Sequence, residues 1–220
     1  MLKKIFSSKN PSGSKGDFSS KDYWEKRYKA AGNSGSGSYG HLAEFKAEVL
    51  NGLFAKYDLS SMIEFGCGDG NQLSMLKVKH YIGLDVSVTA LERCISTYSQ
   101  DKTKSFFLYD YRAFADNEGT FKVDCSLSLD VLFHLVEEKV YISYLKHLFG
   151  SAKKAVIIYA ANVDIEQKTK HELFRQFTRD VEKHIPGWKL VETIKNKYPS
   201  KSYEDEEGSL SDFFVYQPVA

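Results

Sequence analysis

The chain has 220 residues, a length that suits one compact domain with short appendages. Hydrophobic residues make up 42% of it and aromatic residues 14%, which provides a sizeable core and argues against a disordered chain. The formal net charge of +1 argues against a general electrostatic attraction to nucleic acid or to an anionic membrane. The first 30 residues are locally basic, with eight basic and three acidic side chains.

The three cysteines, Cys67, Cys94 and Cys125, form no CxxC pair and no Cys/His spacing typical of a metal site. A sparse, odd set of thiols is typical of a reducing compartment. No apolar run approaches the roughly 18 residues that span a bilayer, and the start MLKKIF leads into Ser, Gly and Lys rather than into a secretory signal. We therefore expect a cytoplasmic protein with no transmembrane segment and no bound metal.

The amino-terminal part of the sequence divides into an arm and a helical cap. Residues 1–20 have the composition of a flexible basic arm, and a single domain is expected over 21–220. Apolar spacing predicts helices at about 21–30 and 42–57, joined by the loop GNSGSGSYG. Residues 21–57 are therefore expected to form an amino-terminal cap.

From residue 58 onward, short apolar strands alternate with segments long enough for helices. This order favours a doubly wound α/β fold with a mainly parallel, Rossmann-like sheet of about seven strands, helices on both faces and a carboxyl-terminal hairpin that includes an antiparallel strand. The predicted strands are 62–65, 81–84, 105–109, 123–129, 155–160, 188–194 and 212–217. The predicted helices are 71–78, 88–99, 135–149 and 165–184, with only a turn or a short helix in 110–122.

A glycine-rich turn at 66–70, GCGDG, directly follows the first predicted strand. Glycines at the carboxyl end of a strand let the backbone turn sharply and approach a ligand, and the next helix points its free N–H groups at the same crevice. Asp85 ends the second strand, 19 residues after Gly66, about the separation at which an acid meets a ribose in doubly wound folds. The pattern predicts a nucleotide-type site, although Asp85 also fits as a cap of the following helix.

The spacing of the glycines does not fit a dinucleotide. Asn71 stands where the third glycine of G-x-G-x-x-G would be, and the third glycine comes early, at Gly70. Glu64 would repel a pyrophosphate, yet it suits a ligand with a cationic amino-acid head and a sulfonium. A phosphate-binding P-loop is excluded because the sequence contains no GK[ST].

These features resemble the class I S-adenosylmethionine-dependent methyltransferases. The matching segments, within about residues 60–160, are EFGCGDGN (64–71), YIGLDVS (81–87), LYDY (108–111) and SLSLDVLFHL (126–135). The resemblance implies a methyltransferase with S-adenosyl-L-methionine as its cofactor. It also implies a cofactor-binding core at 58–160, followed at 161–220 by an acceptor-side helix and the terminal strands.

The same resemblance implies which residues lie against the cofactor. The acid–glycine loop would hold its methionine end, Asp85 its ribose and Asp110 its adenine amino group, although the YDYR segment also fits a solvated turn. Cys67 is expected only as a small residue facing the cofactor. The cofactor-binding residues expected on these motifs are Glu64, Gly66, Cys67, Gly68, Asp69, Gly70, Asn71, Asp85, Val86, Ser87, Asp110, Tyr111, Ser128 and Leu129.

The segment DYWEKRY and the loop after it are interpreted as a lid over the sulfonium. Its expected contacts are Tyr23, Trp24, Arg27 and Tyr39, because aromatic faces attract a sulfonium by cation–π interaction. A flexible connector is the alternative interpretation.

Acceptor-binding groups are expected beyond the carboxyl ends of the fourth and fifth strands. His134 is a candidate general base and Asp130 a candidate orienting group; His134 fits equally well as a residue that packs the next helix. On the predicted helix 165–184, His171 and Arg175 share a stripe that would border the crevice and bind an anionic acceptor, or else face solvent.

The leading hypothesis is O-methylation of a small molecule or a glycan by in-line displacement, which also fits a looser resemblance to small bacterial methyltransferases of polysaccharide and natural-product gene sets. N-methylation of protein or nucleic acid is a second hypothesis, disfavoured by the absence of NPPY or DPPY and by the near-neutral charge. A non-catalytic cofactor-binding scaffold is the third. Activity without Mg²⁺ is expected, and the oligomeric state is left open.

Overall fold

The computed structural model describes residues 18–166, 169–200, 205 and 207–219, so the predicted arm lies outside the described residues up to residue 17. Its helices are α1 (Ser20–Lys29), α2 (Gly40–Lys56), α3 (Val88–Thr97), α4 (Glu138–Gly150) and α5 (Phe177–His184). Its strands are β1 (Ser61–Phe65), β2 (His80–Asp85), β3 (Lys104–Leu108), β4 (Val123–Leu129), β5 (Ala152–Ala161), β6 (Trp188–Ile194) and β7 (Ser211–Pro218).

The seven strands form one sheet in the order β3-β2-β1-β4-β5-β7-β6. Strands β1 to β5 run parallel to their neighbours, whereas β7 lies antiparallel between β5 and β6. The predicted doubly wound fold with a carboxyl-terminal hairpin is therefore confirmed. The strand order reverses between β1 and β4, so the crevice at their carboxyl ends is the place where such folds bind ligands.

Two apolar layers cover the faces of this sheet. On one face, α2 and α3 bury Leu50, Leu53 and Leu91 against the inner strands. On the other face, α4 and α5 bury Leu145 and Phe177 against β5 and β7. Both layers hold the central strands rigidly, which fixes the positions of the side chains at the strand ends.

The predicted helix at 71–78 is wrong, because only a 3-10 turn forms at Gln72–Met75. The Asn51 side chain donates to the Met75 carbonyl and accepts from the Lys77 amide, and these bonds replace the ones that would continue a helix. The segment 110–122 contains turns and no assigned helix.

The predicted long helix at 165–184 is also wrong, since α5 begins only at Phe177. Amides just before and inside α5 donate to groups outside the helix: Leu173 to the Phe133 carbonyl, and Thr178 to the Asn162 side chain. The bonds to Asn162 and Phe133 replace helical bonds, so 169–176 is an irregular segment. His171 and Arg175 therefore do not share a helix face.

None of the described helices is long and apolar enough to cross a membrane. Among the residues that the structure describes, no cluster of three or more His, Cys, Asp or Glu side chains is arranged to hold a metal ion.

Candidate functional site

The glycine turn after β1 adopts a shape that only glycine tolerates. Gly66, Gly68 and Gly70 have φ angles of 84°, 58° and 79°, in the left-handed region. A Cβ atom at Gly66 would lie 2.5 Å from Val131 Cγ2, and one at Gly68 would lie 2.3 Å from Ser34 Oγ. The turn is therefore a cradle that leaves the backbone bare toward the crevice.

Glu64 is a buried acid beneath this cradle, with 3% of its surface exposed. It accepts a 2.5 Å hydrogen bond from the Tyr81 hydroxyl, and it forms no salt bridge among the described residues. Burial raises the pKa of Glu64 to about 7, partly offset by the bond from Tyr81 and by the charge of Lys46. A buried carboxyl without a bound cation suits a cationic ligand.

Asp85 ends β2 and is 6% exposed. Its two carboxylate oxygens accept the amides of Gly68 and Ser87, at 2.9 and 2.8 Å, and thereby fix the turn. Burial raises the pKa of Asp85 to about 6, against the lowering effect of these amides. The amino-terminal cap of α3 is Ser87, whose hydroxyl accepts a hydrogen bond from the Ala90 amide. Asp85 is therefore not the cap of this helix. Each oxygen of Asp85 keeps a lone pair for a ligand hydroxyl.

Asp110 follows β3 and lines the same crevice, together with Val86 and Tyr111. Its carboxylate receives two bonds from the Arg112 guanidinium and lies 3.9 Å from Lys21 Nζ. These bonds and charges hold the pKa of Asp110 well below its usual range. Its approach to an adenine stays a prediction.

The loop after α1 is fastened to the glycine turn through Asp69. The Ser34 amide and the Tyr39 hydroxyl both donate to Asp69 Oδ2, at 3.2 and 2.7 Å. Asn71 also donates to the Ser38 carbonyl at 2.6 Å. These bonds give Asp69, Asn71 and Tyr39 a structural role, and Tyr39 and Asn71 lie outside the lining of the main crevice.

Helix α1 is fastened at both ends and lies across the crevice. Near its start, Ser20 donates to both carboxylate oxygens of Glu137, at 2.9 and 2.5 Å. In its middle, Glu25 accepts the hydroxyls of Ser87 and Thr89, and these bonds, led by the one from Ser87, lower the pKa of Glu25 to about 2. Arg93 donates to two carbonyls at the end of the helix. The 20–40 segment is thus fastened across the crevice, and its Tyr23, Trp24 and Arg27 line it. Their contact with the cofactor, and the role of the segment as a lid, stay predictions.

Asp130 directly follows β4 in a left-handed conformation, with φ 56°. Its carboxylate accepts the Lys46 ammonium at 2.9 Å and the Ser211 hydroxyl at 2.8 Å. Lys46 lies on α2 with 1% exposure and its ammonium is 5.3 Å from the centre of the Tyr159 ring. The sequence analysis did not identify Lys46, because a single lysine in a predicted helix is expected to be exposed to solvent. Only the fold shows that it is buried.

His134 lines the crevice just beyond the carboxyl end of β4. Its Nδ1 lies 3.2 Å from the His171 carbonyl oxygen, and its ring meets Trp24 edge-on at 4.9 Å. Desolvation lowers the pKa of His134 to about 4, so the imidazole is neutral at physiological pH.

The two residues predicted to bind the acceptor separate in the structure. His171 lines the crevice and stacks on Tyr23 with 4.6 Å between ring centroids. The Arg175 guanidinium donates to the Leu135 and Val136 carbonyls and lies over the Tyr141 ring, outside the lining. Arg175 therefore holds the start of α4, and this geometry contradicts its predicted role.

Two further residues of the fourth motif behave differently from each other. Leu129 lines the crevice, whereas Ser128 is buried behind it and accepts a 2.7 Å bond from the Tyr144 hydroxyl. Ser87 and Gly70 also lie outside the lining, and their roles are to cap α3 and to shape the turn. Cys67 lines the crevice as a small buried side chain.

The crevice has a volume of about 1040 Å³ and runs from Asp110, past the glycine cradle, to the segment around His171 and the residues just before β7. Its Glu64 and Asp85 end can hold a cationic amino-acid head and a ribose. Its opposite end has room for a second small molecule.

Residues 63–155, from β1 into β5, match the family model described as a methyltransferase domain. A comparison with curated protein sequences finds no significant match.

Solved methyltransferase structures share the fold. The N-methyltransferase NodS from Bradyrhizobium japonicum WM9, in complex with S-adenosyl-L-homocysteine, is 14% identical with a TM-score of 0.70, covering 91% of this chain and 99% of that one. The methyltransferase domain of bacterial CtHen1-C is 21% identical with a TM-score of 0.60, covering 81% and 100%. Magnesium protoporphyrin IX methyltransferase from Synechocystis PCC 6803, with bound S-adenosyl-L-homocysteine, is 14% identical with a TM-score of 0.63, covering 90% and 98%.

The matched segment contains the glycine cradle, the buried acid Glu64 and the ribose candidate Asp85. A bare cradle beside a buried acid fits a ligand that joins a cationic methionine head to a nucleoside, so the residues present fit the cofactor of this family. Residues 63–155 therefore form a methyltransferase domain, and the chain has the fold of S-adenosylmethionine-dependent methyltransferases, the family whose methyl donor is S-adenosylmethionine.

Proposed function

We propose that this enzyme methylates the oxygen of a hydroxyl group on a small molecule, either free or within a glycan. The supporting observation is the state of His134. The His171 carbonyl only accepts hydrogen bonds, so Nδ1 of His134 carries the proton and Nε2 holds a lone pair. A neutral imidazole with a lone pair on the acceptor side is suited to receive a hydroxyl proton.

The volume of the crevice supports a small acceptor. Pockets for single small ligands have volumes of about 300–1,000 Å³, and this crevice exceeds the upper end of that range at about 1040 Å³. It therefore accommodates a cofactor and one further molecule of modest size.

The charges of the lining disfavour a polyanionic acceptor. Among the residues that the structure describes, eight carboxylate side chains line the crevice against five lysine or arginine side chains. Proteins that bind nucleic acid place cations along the backbone path. A neutral acceptor fits this lining better than a nucleic acid does.

The cofactor supplies an electrophilic methyl group: the O–CH₃ bond forms as the S–CH₃ bond breaks, and the sulfur leaves as a neutral thioether. His134 Nε2 receives the proton that the hydroxyl loses. The lid, fastened by Glu25 and Glu137, keeps bulk water from the crevice. Asp130, held by Lys46 and Ser211, lies at the carboxyl end of β4 and is the candidate orienting group.

Transfer to nitrogen is the second candidate, favoured by the fold match to an N-methyltransferase over 91% of this chain. An amine would have to reach the same base in its unprotonated form. Fragmentation of the labelled product separates the two, because the label is on oxygen in one case and on nitrogen in the other.

The experiment is methyl transfer from deuteromethyl-labelled S-adenosylmethionine to a whole cell extract, whose small-molecule, protein and nucleic-acid fractions are then analysed separately by mass spectrometry. We expect an O-methylated product, and its formation by His134→Gln to be slower by about 10²-fold or more, the usual contribution of a general base. S-adenosylhomocysteine affinity should be unchanged in His134→Gln, and Glu192→Gln, on the far edge strand, should behave as wild type. Label found only on protein or nucleic acid would contradict the proposal.

A further inference from the structure

Within the described part of the chain, six rings line the proposed acceptor side of the crevice and form what we call the aromatic wall. They come from three separate segments: the lid, the turn after β4 and the irregular segment before α5. The members of the aromatic wall are Tyr23, Trp24, Phe133, His134, His171 and Phe174.

The rings of the aromatic wall stack in pairs. Tyr23 and His171 are 4.6 Å apart at 16°, and Phe133 and Phe174 are 5.2 Å apart at 15°. His134 is nearly parallel to His171, at 10°, and lies edge-on to Trp24. Flat surfaces of this kind offer a planar ligand offset-stacked or edge-to-face contacts.

Several polar groups near the aromatic wall already bind one another. Asp130 is held by Lys46 and Ser211, and the Thr169 hydroxyl donates to Glu172. A saccharide is recognised through many hydrogen bonds to its hydroxyls, whereas a planar aryl ring needs mainly ring contacts and one group for its reacting atom. The aromatic wall with His134 at its centre fits the second kind of ligand.

The basicity of His134 also distinguishes the two kinds of hydroxyl. Desolvation keeps the pKa of its imidazole near 4. A phenol, such as the tyrosine side chain, has a pKa of about 10. An aliphatic hydroxyl is comparable to water, with a pKa of about 16. Transfer of the proton to His134 is therefore more favourable from a phenol by a factor of about 10⁵–10⁶.

We propose that the acceptor of this enzyme is a phenol, with its aryl ring against the aromatic wall and its hydroxyl directed to Nε2 of His134. This inference rests on the proposed O-methyl transfer and narrows its substrate class. The phenolic O–H bond breaks, its proton goes to His134, and the oxygen forms the new O–CH₃ bond, so the product is an aryl methyl ether.

The test measures binding to the enzyme saturated with S-adenosylhomocysteine, using probes of matched shape. The probes are 4-methylphenol, its saturated counterpart 4-methylcyclohexanol, and methyl glucoside as a saccharide. We expect saturable binding of 4-methylphenol in calorimetry, at least about fivefold tighter than 4-methylcyclohexanol, because ring–ring contacts add to the burial of apolar area. With S-adenosylmethionine, 4-methylphenol should yield 4-methylanisole.

Leucine variants locate the effect. Phe133→Leu and Phe174→Leu should each weaken 4-methylphenol binding by about two- to tenfold while S-adenosylhomocysteine affinity stays unchanged, which also shows that the variants fold. Phe107→Leu, on the exposed edge strand β3, is the matched control and should leave binding unchanged.

The inference is overturned if 4-methylphenol shows no saturable binding, if 4-methylcyclohexanol binds equally well, or if methyl glucoside binds more tightly. It is also overturned if Phe107→Leu has the same effect as Phe133→Leu. Failure of S-adenosylhomocysteine to bind would instead refute the cofactor site, and therefore the proposed function itself. The two failures are distinguishable because cofactor binding is measured first.

Discussion

Cofactor affinity should depend steeply on pH through Glu64 and Asp85. Both carboxyls are buried at the cofactor end of the crevice, and burial raises their pKa values to about 7 and about 6. We expect Glu64 to face the cationic head of the ligand and Asp85 the ribose hydroxyls, and both would then act best as carboxylates. Each must lose its proton before the cofactor binds tightly, and affinity should therefore fall as the pH is lowered.

The magnitude follows from the two pKa values. At pH 8 both groups are almost fully ionised. At pH 5 both are protonated in the free enzyme, and the cost of removing the proton lowers the affinity by about 100-fold for Glu64 and about tenfold for Asp85. The expected decrease in affinity between pH 8 and pH 5 is thus up to about 10³-fold. The amide of Glu64→Gln still accepts the Tyr81 bond but does not titrate, so this variant should retain only about a tenfold pH dependence.

The assay is titration calorimetry with S-adenosylmethionine from pH 5 to pH 8, in buffers of different ionisation enthalpy. Near pH 6.5 the wild type should release protons on binding, and Glu64→Gln should release fewer. Glu192→Gln, at a surface acid paired with Lys56, is the matched control and should follow the wild type. An affinity that stays level across this range, or an unchanged pH dependence in Glu64→Gln, would refute the reasoning.

Three further changes test the site. Gly68→Ala should lower cofactor affinity, because a Cβ at this position meets Ser34 Oγ at 2.3 Å and φ is 58°, which together cost about 1–3 kcal/mol of strain. The control Gly52→Ala, in open space on α2, should instead raise the free energy of unfolding in urea by about 0.5–1 kcal/mol and leave affinity unchanged. Equal effects of the two variants on affinity or on unfolding would contradict this prediction. Lys46→Met should lower the free energy of unfolding by about 3–5 kcal/mol, because it leaves the Asp130 carboxylate without its cation. Adding Asp130→Asn should restore part of this free energy, and no recovery in the double variant would argue against a stabilising Lys46–Asp130 ion pair. Glu25→Gln should loosen the lid at pH 7 and speed tryptic cleavage at Lys26 by about threefold, and equal cleavage of the variant and the wild type would contradict this role. Because the pKa of Glu25 is lowered to about 2, its contribution to the stability of the lid is present above about pH 4.5 and is lost as the pH falls toward 2.

The sheet and its cofactor end were predictable because they depend on local patterns. Short apolar runs identified the seven strands, and the glycine turn with Glu64 and Asp85 identified the methyltransferase fold. A glycine with a positive φ and an acid at a strand end owe their roles to a few neighbouring residues, so the sequence carries them directly.

The helix predicted at 165–184 shows where local patterns fail. Its periodic residues favour a helix, yet the amides of Leu173 and Thr178 donate to the Phe133 carbonyl and to the Asn162 side chain. These tertiary hydrogen bonds restrict α5 to Phe177–His184. Arg175 then binds the start of α4 instead of an acceptor. Competition between distant partners for the same amide does not appear in any sequence window.

The sequence by itself determined the fold class, the methyl donor and the residues beside the glycine cradle. Tertiary structure alone decided which of the other residues come into contact: Lys46 pairs with Asp130, and His134 with the His171 carbonyl, only when α2, β4 and the segment before α5 converge. Burial, which no local pattern encodes, then sets the charge of Glu64 and keeps His134 neutral.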